Sequence, residues 1–120
     1  MKISRIISLI SLILTGGLIF YISSLQFPPN PFPGLSITSL VYHFGIFFLF
    51  GVFAFLSLGA EKRYTFFAFI FCSVYAGLDE VHQYFVPNRV MSLADFGIDV
   101  FGVIIGIVFI LIAGIFLKKR

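Results

Sequence analysis

Residues 38–63 read TSLVYHFGIFFLFGVFAFLSLGAEKR, and this stretch decides the fold. It runs from Thr38 to Ala60 without a formal charge, then closes with Glu61, Lys62 and Arg63 together. A helix needs about 20 mostly apolar residues to cross a hydrocarbon core of about 30 Å, and this segment has them. Three more segments of the same kind lie outward from it, at about 5–26, 64–86 and 92–117. The joints agree: residues 26–34 hold four of the five prolines, Glu61-Lys62-Arg63 separates the second span from the third, and Pro87-Asn88 separates the third from the fourth. Proline runs stop helices. The 120 residues are 60% hydrophobic and 11% charged, with a mean hydropathy of +1.12, which excludes an ordinary soluble domain. The expectation is an all-α membrane protein, a single domain over 1–120 with four transmembrane helices in an antiparallel bundle.

Lys and Arg orient such a bundle. With four spans, both termini and the middle loop share a side, and that side holds Lys2, Arg5, Lys62, Arg63, Lys118, Lys119 and Arg120. Only Arg89 lies opposite. The positive-inside rule makes the basic side cytoplasmic, in the cell membrane, and puts the proline-rich loop and the 87–91 turn outside. The net charge of +3 therefore orients the chain and does not mark a nucleic-acid binder. The first apolar run is longer than a signal-peptide core and lacks a small-residue cleavage site, so it is read as a retained helix. Cys72 is alone, which rules out an internal disulfide, and its mid-span position reads as packing. The 18 phenylalanines read as packing and lipid-facing bulk.

Against this background the acids stand out. Asp79, Glu80, Asp95 and Asp99 are four of the five acidic residues, and all fall within 21 positions. A charge at the bilayer centre costs roughly 2.5–3.5 kcal/mol on insertion scales, so such groups face a bundle interior or a wet cavity. Asp79 lies roughly 21 Å along the third helix at 1.5 Å per residue, in the outer part of the membrane core. On a helical wheel Asp79, His82, Gln83 and Tyr75 share one side with Glu80 and Tyr84 adjoining, while Val74, Leu78, Val81 and Phe85 form the opposite stripe. On the fourth helix Asp95, Asp99, Gly102, Gly106 and Ala113 share a face, and Gly102-x-x-x-Gly106 permits close approach of another backbone. The short 87–91 turn makes the third and fourth helices antiparallel neighbours. His43, about one turn into the second helix, comes to the same depth. The expected ligand-binding set is His43, Asp79, Glu80, His82, Gln83, Arg89, Asp95 and Asp99.

Several of these residues also have a plainer reading. Ser92-Leu93-Ala94-Asp95 fits a helix capping pattern, Asp99 gains from a helix N-terminus, and Arg89 can pair with Asp95. The histidines fit as satisfied interior groups. Asp79 and Glu80 lack such an explanation, because they are adjacent like charges near the negative end of their helix.

The order of these residues resembles the VanZ-like family of small membrane proteins. The resemblance runs from Ser23-Ser24 and His43-Phe44 through Asp79-Glu80-x-x-Gln83-x-Phe85-x-Pro87-x-Arg89 to Asp95, a polar residue at 99, Gly102 and Gly106. The chain departs from the family at Leu40, where a lysine is frequent, at Asn88, where glycine is favoured, and at Asp99, where asparagine is usual. Its pocket is the more acidic for it. The family is known for a member that lowers susceptibility to the glycopeptide teicoplanin.

The resemblance implies a protein that engages a membrane lipid or a lipid-linked peptidoglycan precursor at the outer leaflet, without an assigned catalytic residue. Arg89 would take the phosphate or carboxylate. The first alternative is an envelope-lipid enzyme using His and carboxylates as metal ligands or as acid and base. The sequence offers no metal-ligand motif of defined spacing and no cofactor motif. The second alternative is a proton-coupled carrier, for which four short helices would need to form a homo-oligomer.

Overall fold

In a computed structural model the described residues are 2–28 and 36–118. Four helices occupy almost all of them: α1 Ile3–Ser24, α2 Ile37–Ser57, α3 Thr65–Tyr84 and α4 Leu93–Lys118. A 3₁₀ turn at Lys62–Tyr64 leads into α3. Each helix is long and apolar enough to cross a membrane, and the four pack together as expected. Residues 29–35 of the proline-rich loop lie outside the described set, as do Met1, Lys119 and Arg120.

Local chemistry sets the boundaries. Ser36 caps α2 by accepting the Ser39 N–H at 3.0 Å, the arrangement that satisfies an orphan amide of the first turn. The α2–α3 connection turns on Gly59 and Ala60, both with positive φ. In the α3–α4 turn Asn88 has φ 63°, a left-handed conformation in which asparagine is enriched among non-glycine residues. The substitution at this position therefore keeps the backbone geometry that a glycine would supply.

The core is apolar and rich in rings. Phe47, Phe50 and Phe55 of α2 are buried against Leu12 and Ile19 of α1, Ala68, Cys72 and Ala76 of α3, and Val103 and Ile107 of α4. Cys72 is fully buried packing. Other described phenylalanines and aliphatics, such as Phe53, Phe69 and Phe96, pack partly buried against this core, and many more face outward on every helix, including Ile13, Phe66, Phe101 and Phe116. So large an exposed apolar surface is stable in lipid and not in water. The stripe of Val74, Leu78, Val81 and Phe85 is exposed as the wheel predicts, but Tyr84 faces outward with it, 69% exposed, and does not adjoin the polar side.

The closest helix contact joins α2 and α4. A Cβ on Gly102 would meet the Phe44 carbonyl oxygen at 2.6 Å, one on Gly106 would run into the Phe48 carbonyl oxygen, and one on Gly51 would meet the Val103 carbonyl oxygen at 2.9 Å. The small-residue pair of α4 thus receives α2, not the sequence-adjacent α3. This contact brings His43 beside Asp99. Across the bundle, Tyr75 of α3 donates to the Gly16 carbonyl of α1 at 2.7 Å.

Candidate functional site

Polar side chains collect at the end of the bundle where α1 and α3 finish and α2 and α4 begin. His43, Asp79, Glu80, Gln83 and Asp99 are buried there, with Asp95 partly covered. Six of the eight expected residues therefore converge.

The first half of the cluster is closed on itself. Asp79 Oδ1 accepts from Ser23 Oγ at 2.6 Å, and its Oδ2 accepts from Gln83 Nε2 at 3.0 Å. Gln83 is one helical turn beyond Asp79, so this pair follows from i, i+4 spacing. Ser23 comes from α1 and is almost fully buried. It belongs to the Ser23-Ser24 pair at the end of the first helix, which was the available signal, but its partner could be found only once α1 and α3 were packed.

The second half is built on α4. His43 and Asp99 meet at 2.8 Å, Nδ1 to Oδ1, with Asp99 fully buried. With Asp99 as the acceptor of this bond, Nδ1 carries the proton and Nε2 keeps its lone pair. Asp95 Oδ2 stands 4.0 Å from that Nε2, too far for a hydrogen bond. The start of α4 explains why Asp95 is free. Ser92 Oγ accepts the Asp95 N–H at 3.2 Å, which is half of the capping pattern. The other half, an acid accepting the N-cap amide, comes from a different helix: Glu80 Oε2 accepts the Ser92 N–H at 2.8 Å. Glu80 thereby gains a helix N-terminus that offsets its place near the negative end of its own helix.

Two expected members lie apart. His82 is half-buried on the flank of α1, bonded through Nε2 to Ser24 Oγ at 2.9 Å and stacked on Phe20 at 4.7 Å. Arg89 does not pair with Asp95. Its Nη2 donates to the Ile22 carbonyl at 2.6 Å, and its guanidinium lies 4.6 Å over the Phe27 ring. The carbonyls of a helix's last turn lack intrahelical partners, so Arg89 closes the end of α1. A backbone acceptor leaves no trace in sequence, whereas a carboxylate six residues away suggests an ion pair.

The cluster ends on unanswered oxygens. Tyr42 Oη, Glu80 Oε1, Asp95 Oδ1 and Asp99 Oδ2 are buried with no hydrogen-bond partner among the described residues. Most buried polar atoms are paired, so four together mark an unusual site. Beside Glu80, between α3 and the start of α4, lies a groove of about 380 Å³ walled by Val74, Gly77, Leu78, Val81, Met91 and Phe96. Several of these walls belong to the lipid-facing stripe, so the groove opens toward the bilayer; it is almost wholly apolar, with Glu80 and Ser92 at its border.

Among families of known proteins, the model of the VanZ/LLP1 family matches residues 3–116, nearly the whole chain. No curated protein and no solved structure matches it.

Proposed function

The chain belongs to the VanZ/LLP1 family as a multi-pass membrane protein, and on that footing we propose that it engages an envelope lipid at the outer leaflet. The groove at Glu80 carries this reading. Its apolar walls face the region that acyl or prenyl chains fill, and Glu80 links its border to the buried polar cluster at the depth of a headgroup. Lipid-linked peptidoglycan precursors combine a long apolar chain with headgroup amides and hydroxyls, the donors that unpartnered carboxylate oxygens would accept. Holding such a precursor is a direct route to altered glycopeptide susceptibility. The excess of Lys and Arg on the side of Lys2, Arg5, Lys62 and Arg63 argues for cytoplasmic termini, with the polar end outside.

The structure moves the emphasis within this reading from Arg89 to Glu80, because the Arg89 guanidinium already bonds the end of α1. A proton-coupled carrier gains no support along the helices. The hydroxyls of Ser8 and Thr15 bond carbonyls of their own helix, at Ser4 and Ser11, and form no relay toward the other end.

The test is lipid capture in the membrane. A photoreactive residue replacing Val81, at the groove, is expected to capture one lipid class selectively, whereas one replacing Phe109, elsewhere on the lipid face, captures bulk lipid. Tagged lipid added to the outside of spheroplasts should reach Val81 before it equilibrates across the bilayer. Bulk lipid composition at both positions contradicts the proposal.

A further inference from the structure

We propose that His43, Glu80 and Asp95 form a binding site for a divalent transition-metal cation, with Asp99 holding the imidazole in position. The assignment concerns the same end of the bundle, but it rests on donor geometry and stands without the lipid reading.

Three acceptors face one another with nothing to donate between them. One ligand atom from each of His43, Glu80 and Asp95 lies within 4.8 Å of the other two. The His43 Nε2 lone pair points to this space because Nδ1 is held by Asp99 at 2.8 Å, and Asp95 Oδ2 already stands 4.0 Å from Nε2. Glu80 Oε1 and Asp95 Oδ1 are buried without a partner, and Glu80 is only 2% exposed. The guanidinium of Arg89 donates through Nη2 to the Ile22 carbonyl, and among the described residues no Lys or Arg forms an ion pair with Glu80, Asp95 or Asp99. Lone pairs brought together under cover repel unless a cation sits between them.

The surroundings have the form that metal ligands require. A ligating imidazole usually gives its other N–H to a carboxylate, and ligating carboxylates are themselves hydrogen-bonded. Here Asp99 Oδ1 accepts the His43 Nδ1–H hydrogen bond, and the Ser92 N–H donates to Glu80 Oε2. A cation with ligand distances of about 2.1 Å spaces its donors roughly 3–4 Å apart, so small side-chain rotations close the set. One imidazole with two carboxylates suits Mn²⁺, Fe²⁺ or Zn²⁺ better than Ca²⁺ or Mg²⁺. Three protein ligands leave coordination positions for an outside oxygen, and Glu80 borders the groove from which one could enter.

A second grouping, Asp79 with Glu80 and Asp99, is equally compact. It is the poorer site, because both Asp79 oxygens are already engaged by Ser23 and Gln83.

Detergent-purified protein, stripped with EDTA and freed of chelator, should be titrated with Mn²⁺ alone and followed by the loss of the free-ion paramagnetic resonance signal. The expected result is one site per chain, competed by Zn²⁺. Removing an outer partner of a metal site costs about 10–100-fold in affinity, so Glu80→Gln and Asp95→Asn, which remove direct ligands, should each weaken binding by about 100-fold. Glu61→Gln, which removes a carboxylate at the opposite end of the bundle, should stay within about threefold of the parent. Thermal melting in detergent checks that each variant is folded, and Asp95→Asn, being only partly buried, serves where Glu80→Gln is not. Parent protein that binds Mn²⁺ no more tightly than a folded Glu80→Gln or Asp95→Asn overturns the proposal. So does Glu61→Gln losing as much affinity as they do.

Discussion

Replacing Gly106 with leucine is expected to cost more than about 3 kcal/mol and to leave little folded protein. A Cβ at this position would run into the Phe48 carbonyl oxygen of α2, with Val52 close behind. Backbone cannot rotate away as a side chain can, so α2 and α4 would have to separate. Overpacking of a tight core typically costs about 1–3 kcal/mol, and more when backbone is displaced. The higher helix propensity of leucine over glycine returns only about 1 kcal/mol. Gly114→Leu is the control, since a Cβ there meets nothing within 4 Å. Reversible unfolding in mixed detergent should show a large loss for the first variant and a near-parental midpoint for the second. Equal midpoints would mean that the α2–α4 contact is looser than described.

Asp99→Leu is expected to destabilise the protein by about 2–3 kcal/mol, the upper part of the range for leaving a buried donor without its acceptor. It leaves the His43 N–H facing an apolar side chain. Asp99→Asn should cost about 1 kcal/mol, because an amide oxygen can still accept that N–H. The same unfolding assay compares the two. A leucine variant as stable as the asparagine one would show that the His43–Asp99 bond contributes nothing. The bond to histidine can persist with either side chain, while aspartate adds a negative charge to a group already rich in acceptors.

The four helices were legible because nothing but a membrane accommodates charge-free runs such as Thr38–Ala60, and prolines and charged triplets mark their ends. The polar cluster was legible for the converse reason: carboxylates in an apolar chain are costly enough to require a purpose or a partner. Helical periodicity placed Asp79 and Gln83 together and separated them from Val74, Leu78 and Val81. The long-range pairings were not legible. Ser92-x-x-Asp95 reads as a local capping motif, yet Glu80 of α3 takes the capping bond and frees Asp95 to face His43. Arg89 bonds a carbonyl, which every residue owns, so no residue type announced it. Likewise the glycine pair predicted a close neighbour without naming it, and α2 proved to be that neighbour. Periodicity reports faces, and only packing reports which faces meet.

The central claim is that the groove beside Glu80 holds a lipid. Native mass spectrometry of the detergent-purified protein, beside Gly77→Phe, tests it most directly. Gly77 lines the groove opposite Phe96, and a Cβ there has ordinary clearance at 3.7 Å, so a phenyl ring should fill the groove without breaking the bundle. The account predicts one lipid mass retained by the parent protein and absent from the folded variant. The same lipid retained at equal occupancy in Gly77→Phe would contradict it.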